Sequence, residues 1–115
     1  MRKEKQRVPD LSVVRTLYVD DEELSRAAFK RCMEQRGFDV TLASSGFEAR
    51  RLAENNRFDL VVSDLRMPGM DGITLASELE QAGVEAAFVL VSGVPELDFR
   101  RRSADNIFAI VPKPW

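Results

Sequence analysis

The sequence predicts an α/β protein of (βα)4β organisation, in which parallel strands form one sheet and helices cover both of its faces. Three observations predict it. Five short apolar runs of strand length recur along the chain. The stretches between them carry apolar residues at helical spacing. The runs are also near-continuously apolar, as strands buried on both faces are. Consecutive parallel strands need a crossover that returns the chain to the same end, and a helix supplies it.

Residues 1–13 are polar, carry Arg2, Lys3, Lys5 and Arg7, include Pro9, and are expected to form a flexible basic arm ahead of one folded unit over 14–115. Leu17-Tyr18-Val19 predicts the first strand. Glu22 to Arg36 predicts the first helix, with Leu24, Ala27, Ala28 and Cys32 apolar and Gly37 as its stop. Cys32 is the one cysteine; it shares a helical stripe with Leu24, Ala28 and Met33, which predicts core packing rather than a reactive thiol. Phe38 to Leu42 suits the second strand. Ser44 or Ser45 can cap a helix running to about Asn55, with Phe47, Ala49, Leu52 and Ala53 apolar. Phe58 to Val62 predicts the third strand, ending at Asp64. A third helix from about Asp71 places Ile73, Ala76 and Leu79 on one side, and Ala86 to Val91 predicts the fourth strand. Pro95 to Ala104 reads as a shorter helix and Ile107 to Val111 as the fifth strand, before Pro112-Lys113-Pro114-Trp115.

With 115 residues, the chain is long enough for one core and too short for two. A formal charge of −2 with 31% charged residues provides no basic field for nucleic acid or anionic membrane. No run approaches the roughly 20 apolar residues that span a bilayer, so a cytoplasmic protein without membrane contact is expected. Arg100-Arg101-Arg102 reads as a solvated helix face. The arm is interrupted by Glu4 and has no interleaved aromatics, so direct nucleic-acid binding is not expected. The chain has no histidine, which excludes Ser-His and Cys-His nucleophiles, imidazole zinc sites and an internal phosphohistidine.

Four of the apolar runs end in residues that bind cations or phosphoryl groups: Asp20-Asp21, Asp64, Ser92 and Lys113. A parallel sheet gathers them at its carboxyl edge, where ligands of such sheets bind. Converging carboxylates repel by roughly 4 kcal/mol per close pair at an effective dielectric near 20. The ammonium of Lys113 offsets part of this. The remainder favours a hard divalent cation on oxygen ligands, and Mg2+ fits because it accepts one to three carboxylates and bridges to phosphate. Asp64 is then placed as a carboxylate nucleophile toward phosphorus, giving an aspartyl phosphate, with Ser92 donating to a phosphoryl oxygen.

Four blocks, Leu17-Tyr18-Val19-Asp20-Asp21-Glu22, Asp64-Leu65-Arg66-Met67-Pro68-Gly69-Met70-Asp71-Gly72, Val91-Ser92-Gly93 and Lys113-Pro114-Trp115, resemble the signature blocks of response-regulator receiver domains in order and spacing. The resemblance covers about residues 14 to 115. It implies a flavodoxin-like sheet in the order 2-1-3-4-5 and a cis peptide between Lys113 and Pro114. It also implies Asp64 as phosphoacceptor, Mg2+ on Asp20, Asp21, Asp64 and the backbone carbonyl of Arg66, Ser92 as switch hydroxyl, and Lys113 as phosphoryl contact. The implied partners are a histidine kinase or phosphotransfer protein and an output domain or downstream protein. The surface near the fourth helix and fifth strand is expected to change on phosphorylation.

The chain departs from the family pattern in three places. Ile110 stands where receivers often carry an inward-turning Tyr or Phe, leaving Phe108 as a substitute on the same strand face. Arg66 and Val94, two residues beyond Asp64 and Ser92, are expected to hinder the hydrolytic water and slow loss of phosphate. Receivers normally continue into a fifth helix after Lys-Pro, so a truncated receiver is expected here, with a homodimer through the open face as the alternative. Two further functional readings stand beside the switch: a receiver-like interaction module that is never phosphorylated, and an Mg2+-dependent phosphohydrolase with an aspartate nucleophile. The second lacks an acid/base carboxylate two residues past Asp64 and an insertion long enough for a substrate cap.

Overall fold

The computed structural model describes residues 13–93 and 107–112. Five strands and three helices follow in the order β1 (Arg15–Val19), α1 (Glu23–Glu34), β2 (Asp39–Ala43), α2 (Gly46–Asn55), β3 (Leu60–Asp64), α3 (Gly72–Gln81), β4 (Ala87–Ser92) and β5 (Ile107–Pro112). All pairings are parallel and the strand order is β2-β1-β3-β4-β5. This is the order implied by the receiver resemblance. The helix expected over Pro95–Ala104, the arm, the Arg100–Arg102 cluster, Val94 and the Lys113-Pro114 peptide lie outside the described residues.

Local chemistry sets the helix boundaries. Ser45 accepts the Glu48 backbone N–H at 3.1 Å and caps α2, while Asp71 accepts that of Thr74 at 2.8 Å and caps α3. Gly37 and Gly83, with φ of 92° and 80°, close α1 and α3. The bonds Phe38 N–H to Met33 O and Val84 N–H to Leu79 O complete the left-handed C-terminal turn in each case.

Residues facing one another across parallel strands share a side of the sheet, so the pairings sort the core into two faces. Leu17, Val61 and Phe88 form one row, followed by Val19, Ser63 and Leu90. All six are buried, and α2 and α3 pack over them through Ala49, Ala53, Leu75, Ala76 and Leu79. The opposite face carries Tyr18, Val62 and Val91, with Val40 from β2, and meets Phe29 of α1. On this second face Val89, Ala109 and Val111 keep partial exposure toward β5, Val111 at 40%.

Two expected apolar stripes require correction. Leu24 is 84% exposed and Ala27 is exposed, and the anchor of α1 is Phe29. Leu24 lies five residues before Phe29, well over 90° around the helix at 3.6 residues per turn, so it cannot share that face. Cys32 is half-buried and receives the Arg36 guanidinium at 3.2 Å. On α2, Ala49 and Ala53 are buried as expected, whereas Phe47 is 60% exposed. It sits in the first turn, against the β3–α3 loop rather than the sheet.

Candidate functional site

At the carboxyl edge, β1 runs directly into Asp20, whose N–H still pairs with Ala43 O of β2 at 3.1 Å. Asp20 is fully buried. Its two carboxylate oxygens have different donors: Oδ1 accepts the Glu22 backbone N–H at 3.0 Å, and Oδ2 accepts the Tyr18 hydroxyl at 2.7 Å. The Arg26 guanidinium donates to Asp20 O at 2.9 Å, tying the first turns of α1 to the strand end. Asp21, the next residue, faces solvent.

Asp64 ends β3 and is 9% exposed. Tyr18 pairs with Val62 across β1 and β3, so Asp20 and Asp64, each two residues further on, extend the same row off the edge of the sheet. The loop that follows is tightly seated. Leu65 N–H donates to Val91 O at 2.9 Å, Gly72 N–H returns to Leu65 O at 2.8 Å, and the Ser63 hydroxyl donates to Asp64 O at 2.9 Å. Gly72 has no room for a side chain, since a Cβ there would lie 2.6 Å from both Asp64 O and Leu90 Cδ2.

The first turn of α2 holds the outer part of this loop. Met70 packs on Gly46, where a Cβ would meet it at 2.9 Å, and the Phe47 ring lies over Gly69, whose φ of 84° suits glycine. Arg66 is exposed within the same loop. Ser92 ends β4 and is buried. The sheet therefore brings Asp20, Asp21 and Asp64 together, with Ser92 at the tip of the strand adjoining β3; Lys113 follows β5 outside the described residues.

One oxygen from each of Asp20, Asp21 and Asp64 lies within 4.8 Å of the others. Mg2+ bonds to oxygen at about 2.1 Å, so two ligands across the ion stand roughly 4.2 Å apart. An all-carboxylate donor set gathered this closely is the chemistry a hard cation prefers. The residues present fit Mg2+. Burial, reinforced by the hydrogen bond to Asp20 and by the neighbouring carboxylates, pushes the Tyr18 hydroxyl far above its ordinary range. It stays protonated and acts as a donor.

The model of the response regulator receiver domain family matches residues 16–115. The chain belongs to this family. It is thus a signalling domain of two-component systems, a phosphorylatable switch. The receiver domain is 40% identical over 117 residues to Sensor kinase CckA of Brucella abortus (strain 2308), covering 98% of this chain and 12% of that protein. It is 33% identical over 103 residues to Response regulator MprA of Mycobacterium sp. (strain KMS), covering 89% of this chain and 45% of that protein. The chain therefore spans less than half the length of these relatives. Response regulator TrrA of Thermotoga maritima, solved in complex with Mg2+-BeF, superposes with a TM-score of 0.79 at 28% identity over 89% of this chain and 88% of that one. None of the described helices is long and apolar enough to cross a membrane.

Tyr18 and Arg26, which hold Asp20, are absent from the residues singled out by strand-end chemistry. Tyr18 was accessible through strand alternation, because residues two apart on a strand share a face. Arg26 had no comparable signal, since its contact depends on how α1 crosses the strand end.

Proposed function

We propose that this receiver accepts a phosphoryl group on Asp64, with Mg2+ held by Asp20, Asp21, Asp64 and the backbone carbonyl of Arg66. The observation that carries the reading is the convergence of three carboxylates at the sheet edge with Asp64 at the tip of β3. The TrrA structure with Mg2+-BeF supports the same choice of cation. Bound there, Mg2+ supplies charge neutralisation for an incoming phosphoryl group.

In this reading, an Asp64 carboxylate oxygen attacks phosphorus of a phosphohistidine on a partner kinase or phosphotransfer protein. The new P–O bond forms as the P–N bond breaks, and the departing imidazole regains a proton. Asp20 and Asp21 position the cation, Ser92 donates to a phosphoryl oxygen, and Lys113 contributes its positive charge on the basis of the family resemblance. The modified edge then shifts the population of the surface near the fourth helix and fifth strand, which an output domain or downstream protein reads.

Incubation with acetyl phosphate and Mg2+ is expected to add one phosphoryl group, detected by intact mass, and Asp64→Asn is expected to abolish it. Absence of an adduct on the wild-type chain would sink the reading. Arg66 and Val94 are expected to slow loss of the adduct, and a lifetime of seconds would refute that part. The partial exposure of Val89, Ala109 and Val111 supports coverage of this face by a further segment of a longer receiver or by a second copy. Sedimentation that shows a monomer at every concentration would remove the second copy.

A further inference from the structure

Tyr18 is a fully buried phenol in the middle of an otherwise apolar cluster of Phe29, Val40, Val62 and Val91. Its ring is stacked on Phe29 of α1, with centroids 4.0 Å apart and planes 6° from parallel. Its hydroxyl leaves that cluster at the top and donates to Asp20 Oδ2 at 2.7 Å. A phenylalanine would fill the same space without placing a polar atom in the core, so the burial of this hydroxyl has to be accounted for by what it contacts.

We propose that Tyr18 is a positioning residue of the cation site, fixing the plane of the Asp20 carboxylate so that it meets a small ion in the required geometry. This rests on the assignment of Asp20 as a cation ligand made above. Two donors reach Asp20 from different directions among the described residues, the Tyr18 hydroxyl on Oδ2 and the Glu22 N–H on Oδ1. An ionised carboxylate has about four acceptor positions, so two donors can set its orientation without using its capacity for a metal. The Glu22 contact is made by the backbone beside the strand end. The Tyr18 contact comes from inside the sheet face and is stiffened by the Phe29 stack. Rotation of the carboxylate therefore requires either breaking a buried hydrogen bond or moving a ring locked between β1 and α1.

Cation selectivity should reveal this positioning role. Mg2+ demands near-octahedral geometry, whereas Ca2+ accepts irregular coordination, so a loosened carboxylate costs Mg2+ more than Ca2+. The test titrates the full unphosphorylated chain with Mg2+ and with Ca2+ by calorimetry, comparing wild type with Tyr18→Phe. Loss of an outer hydrogen bond of this kind typically weakens a metal about 10-fold or more. Tyr18→Phe is expected to weaken Mg2+ by about that factor, with a smaller loss for Ca2+. Unchanged or tighter Mg2+ binding, or equal losses for the two ions, would overturn the proposal. Should Tyr18→Phe fail to fold, Phe29→Leu keeps the hydroxyl and removes its stacking partner. It is expected to give a smaller loss for Mg2+ in the same direction, and unchanged affinity there overturns the proposal too. A wild-type chain that binds no Mg2+ would instead sink the cation assignment itself, so the two failures are distinguishable.

Discussion

The two faces of the sheet differ in what they bury. Beneath α2 and α3, the rows Leu17–Val61–Phe88 and Val19–Ser63–Leu90 are closed by buried aliphatic side chains, and Ser63, their one polar member, is satisfied by Asp64 O. Beneath α1, the face holds the Tyr18 hydroxyl and Thr16, whose buried Oγ1 finds no hydrogen-bond partner among the described residues, and it opens toward β5 at Val111. The row that leads to Asp20 and Asp64 belongs to this second face. The contrast is one of composition: one face is packed almost wholly with apolar side chains, while the other buries two hydroxyls, of which that of Tyr18 reaches Asp20.

Substitutions on each face should show that difference. Phe88→Ala, which empties a fully buried site under α3, is expected to cost about 4 kcal/mol, whereas Val111→Ala on the exposed side of β5 should cost less than about 1 kcal/mol. Urea unfolding of the two variants measures both. Similar costs would mean that the second face is closed as tightly as the first.

Thr16→Val probes the polar cost of the second face. The shapes match, and the substitution removes a buried hydroxyl that lacks a partner among the described residues, so a gain of about 1 kcal/mol is expected in the same assay. A loss would show that the hydroxyl has a partner after all.

The smallest effect concerns the first turn of α2, which packs on the loop after Asp64 from the first face. Glu48 Oε1 accepts the Ser44 N–H at 2.8 Å and the Ser44 hydroxyl at 3.0 Å, while Ser45 accepts the Glu48 N–H. This is a reciprocal cap, and Glu48→Ala is expected to cost about 0.5–1 kcal/mol near neutral pH. The Ser44 backbone bond is the main cause that holds the Glu48 carboxyl below its ordinary value of 4.5. The folded state therefore takes up this proton less readily than the unfolded chain. Its contribution is complete above that ordinary value and disappears as pH falls through the lowered one. Thermal unfolding of wild type and variant should converge in acid; a gap that persists there would assign the effect to packing.

Much of the fold was legible because its signals are local. Ser45 and Asp71 mark helix starts, Gly37 marks a stop, and the apolar runs lie within a few residues of β1 to β5. The stripe of α1 was misread because Leu24, Ala28 and Cys32 satisfy the helical period as well as Phe29 and Met33 do. Period alone does not choose between overlapping stripes; contact with the sheet does.

By itself, the sequence determined the alternation of strands and helices and the chemistry at the strand ends, since both depend on residue type and short-range spacing. It carried Asp20, Asp21, Asp64 and Ser92 to the same edge once the strands were taken as parallel. Only the tertiary structure decided that Asp20 is buried with Tyr18 beneath it, that Met70 and Phe47 interlock with Gly46 and Gly69, and that Thr16 is buried within the sheet face. Those outcomes depend on contacts between elements far apart in the chain, and composition and spacing do not specify the angle at which one element crosses another.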